Sequence, residues 1–148
     1  MKGAVFIALN EMIENDYGME VWNELLDEVK PESQGIYTSA QNYPDEEIVA
    51  FVIAISKKLS LPTTDVTRLF GHELFKELNK KFSMFTEQKD DLFSFLDSIE
   101  NVIHVEVRKL FENPSLPTLD CTQISDSEMD ISYHSPRKLC FLAEGLIR

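Results

Sequence analysis

Up to Phe111, apolar residues recur three and four positions apart, which is the period of an amphipathic helix. The pattern predicts helices over residues 4–15, 19–29, 44–59, about 65 into the eighties, and 90–111. Gly18 and Pro31 are stop signals behind the first two helices, and "ESQGIYTSAQNYP" is typical of a loop. The last of these helices is predicted to be the longest. Its main apolar stripe comprises Leu92, Leu96, Ile99, Ile103 and Leu110.

The pattern changes after Phe111. The two prolines of "ENPSLPTLD" cannot continue a helix, and "TLDCTQISDSEMDISY" predicts two short strands around the polar turn "SDSE". Ser135 followed by Pro136 is the pattern of an N-cap and a first helical residue, so a last helix is expected from there to the end. A mostly helical chain with a small antiparallel sheet near its C-terminus predicts an α+β fold.

The composition is typical of one globular domain, because 43% of the 148 residues are hydrophobic. A net charge of −12 disfavours nucleic acid and anionic membrane surfaces as partners. No apolar run approaches the ~20 residues of a membrane span. The N-terminal apolar patch soon meets Glu11 and Glu14, which is unlike a secretory signal. Cys121 and Cys140 make no disulfide framework, so the expected location is the cytoplasm.

Among the three histidines, His104 stands out because it lies in the apolar context "ENVIHVEVRKLF". An imidazole there is either a satisfied core histidine or the single axial ligand of a metal, and spacing alone favours the structural role. No second His, Cys or carboxylate is expected beside it at zinc spacing. A metal at His104 would therefore need ligands from elsewhere, as a porphyrin supplies. His72 and His134 are interpreted as solvated or lightly hydrogen-bonded residues without a functional role.

The stretch "ISYHSPRKL" alternates a phenol, a hydroxyl and a guanidinium at Tyr133, Ser135 and Arg137. All three are hydrogen-bond donors, and together they could hold an anion such as a porphyrin propionate. The predicted helix start at Ser135 and Pro136 would add a favourable dipole. The alternative is that Tyr133 packs, Ser135 only caps and Arg137 pairs with a surface glutamate. The triplet alone favours this alternative.

Taken together, "IHVEVRKLFENPSLP" and "YHSPR" resemble the H-NOX family, the heme nitric oxide/oxygen binding domain of bacterial gas sensors and of soluble guanylate cyclase. The resemblance extends over nearly the whole chain and includes "MKGAVF", "YGMEVWNELL" and "LFGHELF". It implies that His104 is the axial ligand of heme b, Fe-protoporphyrin IX. It also implies that Tyr133, Ser135 and Arg137 bind the propionates, and that Pro117 presses on the porphyrin and keeps it non-planar.

The resemblance also implies a domain plan. Residues 1–148 would form a single heme-binding sensor domain, with a distal helical part at 1–60, a heme-cradling part with a long proximal helix at 61–148, and the heme between them. Family members normally continue into further strands, whereas this chain ends at Arg148 in the last predicted helix. Some relatives hold zinc near Cys140 with later ligands that are not present here, so Cys140 is interpreted as a packed or free thiol.

Oxygen-binding members of the family carry a distal tyrosine that donates a hydrogen bond to O2. The corresponding position here is Leu142, and carry-over from the family also assigns four other aliphatic residues to the distal pocket: Val5, Leu9, Leu74 and Leu78. Bound O2 needs a donor, whereas NO binds ferrous heme tightly without one. The resemblance therefore implies an NO sensor that forms little or no stable O2 complex.

The implied mechanism is a switch. NO at ferrous heme would weaken the iron–His104 bond, release the helix that bears His104 and alter a docking surface. The sequence contains no kinase, cyclase or other catalytic motif, so no enzymatic activity is expected. The partner implied by the family is a sensor histidine kinase or a diguanylate cyclase. The acidic surface of this chain would bind a basic patch on that partner.

Two other hypotheses remain open at this point. The first is an acidic helical adaptor or regulatory protein with no cofactor, which would be colourless. The second is an enzyme in which His104 acts as a base and Arg137 holds a carboxylate substrate. This one is weaker, because the motif lacks an orienting acid and a recognisable nucleophile.

Overall fold

The computed structural model describes residues 1–148, and it is mostly helical with one two-stranded antiparallel sheet. The elements are α1 Gly3–Tyr17, α2 Met19–Val29, α3 Asp45–Leu59, α4 Thr63–Lys81, α5 Met84–Glu87, α6 Leu92–Ser98, a π-helical turn Ile99–Ile103, α7 His104–Leu110, β1 Thr118–Ser125, β2 Glu128–His134 and α8 Cys140–Ile147. The predicted α+β class is confirmed. The chain divides into two compact units, which we call the helical unit (Met1–Glu77 with Phe141–Arg148) and the hairpin unit (Leu78–Cys140). The predicted boundary at 60/61 falls inside the helical unit.

The helical unit has an aromatic and aliphatic core. Helix α1 packs against α2, and α2 packs against α3. Trp22 of α2 stacks on Phe51 of α3, with ring centroids 4.9 Å apart. The most completely buried side chains of this unit are Phe6, Leu9, Ile13, Leu25, Phe51, Ile55, Val66 and Phe70. The amphipathic spacing seen in the sequence is therefore the spacing of residues that face this core.

The loop between α2 and α3 is held by a buried carboxylate. Glu47 of α3 is 7% exposed and accepts hydrogen bonds from Ser33 Oγ at 3.0 Å and from Tyr37 Oη at 2.8 Å. Tyr37 also stacks on Phe6, with ring centroids 4.3 Å apart. Burial and the neighbouring Glu47 carboxylate together raise the pKa of the Tyr37 phenol well above its ordinary value. The phenol therefore stays protonated and keeps donating to Glu47.

Helices α4 and α8 approach closely because each carries a glycine at their contact. A Cβ on Gly145 would collide with the Arg68 carbonyl, and a Cβ on Gly71 would collide with the Leu142 carbonyl. Beside this contact, Arg68 Nε donates to Glu144 Oε2 at 2.8 Å, and the Arg68 guanidinium lies 4.6 Å from the centre of the Phe141 ring. The glycine of "LFGHELF" thus has a packing role, since a side chain there would separate the two backbones.

The hairpin unit is built from short elements. Asp91 forms a capping box with Ser94 at the start of α6, with a bond of 2.7 Å from Ser94 N to Asp91 Oδ1. Strands β1 and β2 pair in antiparallel register, which places Leu119 opposite Tyr133 and Thr118 opposite His134. Helix α6 packs against β1. The two strands and the connecting turn agree with the sequence prediction.

The predicted helix over 90–111 is wrong in two respects. The helical run Leu92–Leu110 is interrupted by the π-helical turn at Ile99–Ile103, and it is no longer than α4. Two residues of the predicted stripe also lie in solvent, with Leu92 55% exposed and Leu110 67% exposed. The inserted π turn rotates the side chains that follow it relative to those that precede it. A stripe drawn with one helical period across the whole segment therefore cannot stay on one face.

The predicted start of the last helix is also wrong. Ser135–Lys138 is a turn, in which Lys138 N donates to the Ser135 carbonyl at 3.2 Å, and α8 begins only at Cys140. Ser135 Oγ accepts from Arg137 N at 3.2 Å, and Lys138 has a φ of 54°. A serine side chain can satisfy a turn as well as it satisfies a helix N-terminus, and here the left-handed Lys138 redirects the chain.

None of the helices is both long enough and apolar enough to cross a lipid bilayer.

Candidate functional site

His104 is a buried imidazole at the junction of the π-helical turn and α7. It is 8% exposed, and its backbone N–H bonds to the Ile99 carbonyl, which closes the π turn. Its ring atom Nδ1 lies 3.0 Å from Glu100 Oε2. A histidine with Nδ1 bonded to a carboxylate presents Nε2 as its remaining ligand atom.

Glu100 was missed by the sequence analysis, which considered carboxylates beside His104 only at the spacing of zinc ligands. Its Oε2 also accepts from Leu119 N at 3.1 Å, and its Oε1 accepts from Arg108 Nη2 at 3.1 Å. Burial alone would raise the pKa of the Glu100 carboxyl, but bonds from Leu119, His104 and Arg108 outweigh it and lower the pKa. The signal was available in the sequence, since Glu100 precedes His104 by four residues, the spacing of side chains that meet on one helix face.

Pro117 and Tyr133 lie at the same end of the hairpin. Pro117 directly precedes β1, and Tyr133 of β2 is paired with Leu119 of β1. Both Pro117 and Tyr133 are half-buried. The start of β1, next to Pro117, and the end of β2, with Tyr133, therefore lie side by side. Leu119 of β1 also links this end of the hairpin to Glu100, because its backbone N–H donates to the Glu100 carboxylate.

Ser135 and Arg137 lie in the turn that follows β2. Arg137 Nη1 donates to the Ser115 carbonyl at 3.0 Å, which ties this turn to the segment just before Pro117. Tyr133, Ser135 and Arg137 are half-buried, whereas His134 and Pro136 between them are exposed. The alternation seen in the sequence is therefore matched by an alternation in burial, with the three donors less exposed than the residues between them. No helix N-terminus supports them, because α8 starts at Cys140.

The aliphatic residues assigned to the distal pocket are distributed over both units. The helical unit contains four of them, of which Leu9 and Leu74 are buried and Val5 and Leu142 are half-buried. Leu78 is 37% exposed and is the first residue of the hairpin unit. None of the five side chains can donate a hydrogen bond.

The donor set fits a porphyrin better than a bare metal ion. No group of three or more His, Cys, Asp or Glu side chains is arranged so that it could hold a metal ion. One buried imidazole with a fixed Nδ1 suits the axial position of an iron that takes its other ligands from a macrocycle. The half-buried phenol, hydroxyl and guanidinium suit carboxylates such as propionates. The residues present therefore fit heme.

Comparison with known proteins gives the family. The model of the haem-NO-binding family matches residues 2–148. The chain belongs to this family, H-NOX. H-NOX proteins are heme-based gas sensor domains, and solved H-NOX structures include Fe(II), Fe(II)CO and Fe(II)NO states.

Solved H-NOX structures share the fold of this chain. A mutant H-NOX protein from S. oneidensis in the Fe(II) state is 38% identical, with a TM-score of 0.92 over 99% of this chain and 78% of that one. The H-NOX protein from K. algicida in the Fe(II) unliganded state is 26% identical, with a TM-score of 0.89 over 99% of this chain and 80% of that one. Soluble guanylate cyclase 89Db of Drosophila melanogaster is 28% identical over 93% of this chain, which spans only 20% of that longer protein.

Proposed function

We propose that this H-NOX chain binds heme b, senses nitric oxide and regulates a separate signalling protein. The observation that carries the proposal is His104, a buried imidazole whose Nδ1 is bonded to Glu100 and whose Nε2 is left to coordinate a metal. When bound, the heme supplies a ferrous iron that coordinates NO.

His104 is the proposed axial ligand. Its burial limits competition from water, and the Glu100 carboxylate holds the ring in one orientation. His72 and His134 are both exposed, so they serve as internal comparisons.

The propionates are assigned to Tyr133, Ser135 and Arg137. Arg137 carries a permanent positive charge and planar N–H donors that match a carboxylate. The hydroxyl of Ser135 accepts from Arg137 N, which orients it while its own proton can still be donated. Tyr133 adds a phenol from near the end of β2.

Selectivity for NO over O2 is assigned to the absence of donors among the five aliphatic distal residues. A bound O2 carries partial negative charge and is stabilised by a hydrogen bond, whereas NO has no such need. Leu142 is the position at which oxygen-binding relatives would carry a tyrosine. The aliphatic set thus supports NO binding with little or no stable O2 complex.

The switch is assigned to His104 and Pro117. Before NO binds, His104 would hold the heme through Nε2, and the rigid ring of Pro117 would press on the porphyrin. Binding of NO would release His104 and relieve the strain that Pro117 imposes. NO can shift this equilibrium only by its difference in affinity for the two states. The partner would be a sensor histidine kinase or a diguanylate cyclase in the cytoplasm.

An absorption spectrum of the purified protein tests the cofactor and the gas. The protein is reduced without air, measured, and then exposed to NO or to air in separate samples. We expect a strong Soret band that NO shifts and that air leaves without an oxy spectrum. A colourless protein that takes up no added heme would contradict the proposal and favour the cofactor-free adaptor.

Substitution assigns the ligand. His104→Gly should lose the ferrous heme spectrum and regain it when imidazole is added, because the free base can occupy the vacated position. His72→Gly is the matched control and should leave the spectrum unchanged. A His104→Gly protein with the wild-type spectrum would overturn the assignment of His104.

A further inference from the structure

Glu100 is a point at which three N–H donors meet on one carboxylate. One oxygen lies 3.0 Å from His104 Nδ1 and 3.1 Å from Leu119 N, and the other lies 3.1 Å from Arg108 Nη2. Its side chain is 25% exposed and that of His104 is 10% exposed. A surface pair at this spacing contributes only about 0.2–0.5 kcal/mol and holds no fixed geometry. The partial burial and the third donor distinguish Glu100 from such a pair.

The contact with Nδ1 has a chemical consequence for the ring. A carboxylate accepts, so the ring must place its proton on Nδ1 in order to make this bond. The lone pair of the neutral imidazole is then on Nε2. Partial withdrawal of the Nδ1 proton by an anion also makes Nε2 a stronger electron donor. The carboxylate therefore affects both which nitrogen coordinates and how strongly it does so.

The contact with Leu119 has a mechanical consequence. Leu119 lies near the start of β1, two residues after Pro117, whereas His104 begins α7. The same Oε2 atom bonds both His104 and Leu119, so one carboxylate joins the helix to the strand. In the π turn, His104 N donates to the carbonyl of Ile99, five residues earlier. In a regular α-helix it would donate to the carbonyl of Glu100 instead.

Arg108 opposes the effect of the carboxylate on the ring. Its guanidinium bonds Oε1 of Glu100 from the next turns of α7 and draws negative charge away from the oxygen that faces His104. The ring is thus influenced by two charged groups of opposite sign. Removal of Glu100 should lower the electron-donor strength of Nε2, whereas removal of Arg108 should raise it.

We propose that Glu100 is the positioning residue of the sensor: it selects the Nδ1–H tautomer of His104, strengthens the axial bond through Nε2, and couples release of that bond to the start of β1. This inference rests on the proposed function, because it assumes that His104 is the axial ligand. It adds a residue that sets how readily NO releases His104.

The test compares Glu100→Gln, Glu100→Ala and Arg108→Gln in the heme-loaded, reduced protein. The readouts are the iron–histidine stretching frequency by resonance Raman and the fraction of five-coordinate complex in the NO spectrum. Both Glu100 variants should lower the frequency and raise the five-coordinate fraction, with Ala more affected than Gln. Arg108→Gln should do the opposite. Loss of an outer partner of a metal ligand typically costs about 10–100-fold in affinity, so heme loss from Glu100→Ala should be about tenfold faster or more.

Glu106→Gln is the matched control. Glu106 lies in α7 and accepts from Lys109 Nζ at 2.8 Å. Its replacement by glutamine removes one negative charge, as the replacement of Glu100 does. It should leave both spectra unchanged. Glu100→Gln is nearly isosteric, so it keeps the test open if the alanine variant does not fold.

The possible outcomes separate this inference from the proposed function. If the wild type binds heme through His104 but all Glu100 and Arg108 variants keep its frequency and its NO spectrum, Glu100 is not a positioning residue and the inference alone is wrong. If both charge changes shift the frequency in the same direction, general disruption explains them and the inference is again wrong. If His104→Gly leaves the heme spectrum unchanged, the proposed function fails first.

Discussion

At the scale of single residues, Arg137 donates hydrogen bonds through both its backbone and its side chain. Its backbone N–H orients the Ser135 hydroxyl, and its guanidinium holds the Ser115 carbonyl at 3.0 Å. The residue proposed to bind a propionate therefore also organises the turn after β2 and the segment before Pro117. A guanidinium can do both because its donors lie in a plane with fixed directions.

Replacement of Arg137 should weaken heme retention. Charge-assisted hydrogen bonds contribute about 1.5–3 kcal/mol each, so Arg137→Gln should release heme at least about tenfold faster in a transfer assay to a heme acceptor. Lys138→Gln, an exposed neighbour with the same charge, is the control. Thermal unfolding of both variants must be compared as well, since loss of the Ser115 bond alone would destabilise the hairpin unit. Equal heme loss from the two variants would contradict a propionate contact at Arg137.

A donor placed at Leu142 should create oxygen binding. Leu142→Tyr adds a phenol to the aliphatic set, and one net hydrogen bond of about 1 kcal/mol corresponds to a roughly fivefold gain in affinity. We expect an oxy spectrum in air for this variant. Leu142→Phe adds the ring without the hydroxyl and should form none. An oxy spectrum with both variants would show that the added ring, and not a hydrogen-bond donor, determines whether O2 binds.

At the scale of elements, a π turn and a non-helical turn lie at the positions proposed to bind heme. The π turn Ile99–Ile103 ends at His104, and the Ser135–Lys138 turn holds two of the three proposed propionate donors. A third element-level feature is the α4–α8 contact, where Gly71 and Gly145 let two backbones meet. α8 also carries Leu142, so the position of this leucine depends on that contact.

Gly145→Ala separates packing from helix propensity. Alanine is favoured over glycine in a helix interior by about 1 kcal/mol, so propensity alone predicts a more stable protein. The added Cβ would meet the backbone carbonyl of Arg68, which cannot move as a flexible side chain can. We expect a net loss of about 1–3 kcal/mol in the free energy of unfolding, as for other overpacked sites. A rise in stability in urea unfolding would show that α4 and α8 do not pack this closely.

At the scale of the whole molecule, charge affects stability as well as recognition. The bond from Arg68, with further attraction from Arg68 and Arg148, lowers the pKa of the Glu144 carboxyl below its ordinary value of 4.5 despite opposition from burial. When the pKa of a carboxyl is lower in the folded protein than in the unfolded chain, its ionised form stabilises the fold. This stabilisation is complete at pH values above the pKa of the unfolded chain and is lost as the pH falls through the pKa of the folded protein.

The acid limb of the stability profile should therefore respond to Glu144. We expect the unfolding midpoint of the wild type to fall as the pH drops below about 4.5, and the fall to be smaller in Glu144→Gln. The side chains of Arg68 and Glu144 are 29% and 35% exposed, so salt should reduce the difference between the two proteins. Parallel profiles for the two proteins would exclude the pair as a source of acid sensitivity.

The net charge of −12 bears on the proposed partner. An acidic sensor that meets a basic patch should associate faster at low salt than at high salt, and by about tenfold or more if steering dominates. In a reconstituted assay with a sensor histidine kinase, NO should change autophosphorylation in the presence of the wild type but not of His104→Gly. A response that survives in His104→Gly would contradict control through this residue.

Much of this protein was determined locally by its sequence. Helices α1, α2 and α3, the two strands and their turn follow from hydrophobic period and stop residues, because each depends on neighbours within a few positions. The alternation of Tyr133, Ser135 and Arg137 with other residues is matched in the structure, where all three are half-buried and the residues between them are exposed. Their role toward heme stays a prediction, as does that of His104.

Tertiary structure decided the rest. The π turn, the start of α8 at Cys140 and the exposure of Leu92 and Leu110 depend on which partners each segment meets, and a single helical period carries no such information. The convergence of His104, Arg108 and Leu119 on Glu100 needs β1 to lie beside the helix, nineteen residues along the chain from Glu100 to Leu119. The approach of α4 to α8 joins residues 76 positions apart at Arg68 and Glu144. The sequence names such residues, but only the folded chain brings them within bonding distance.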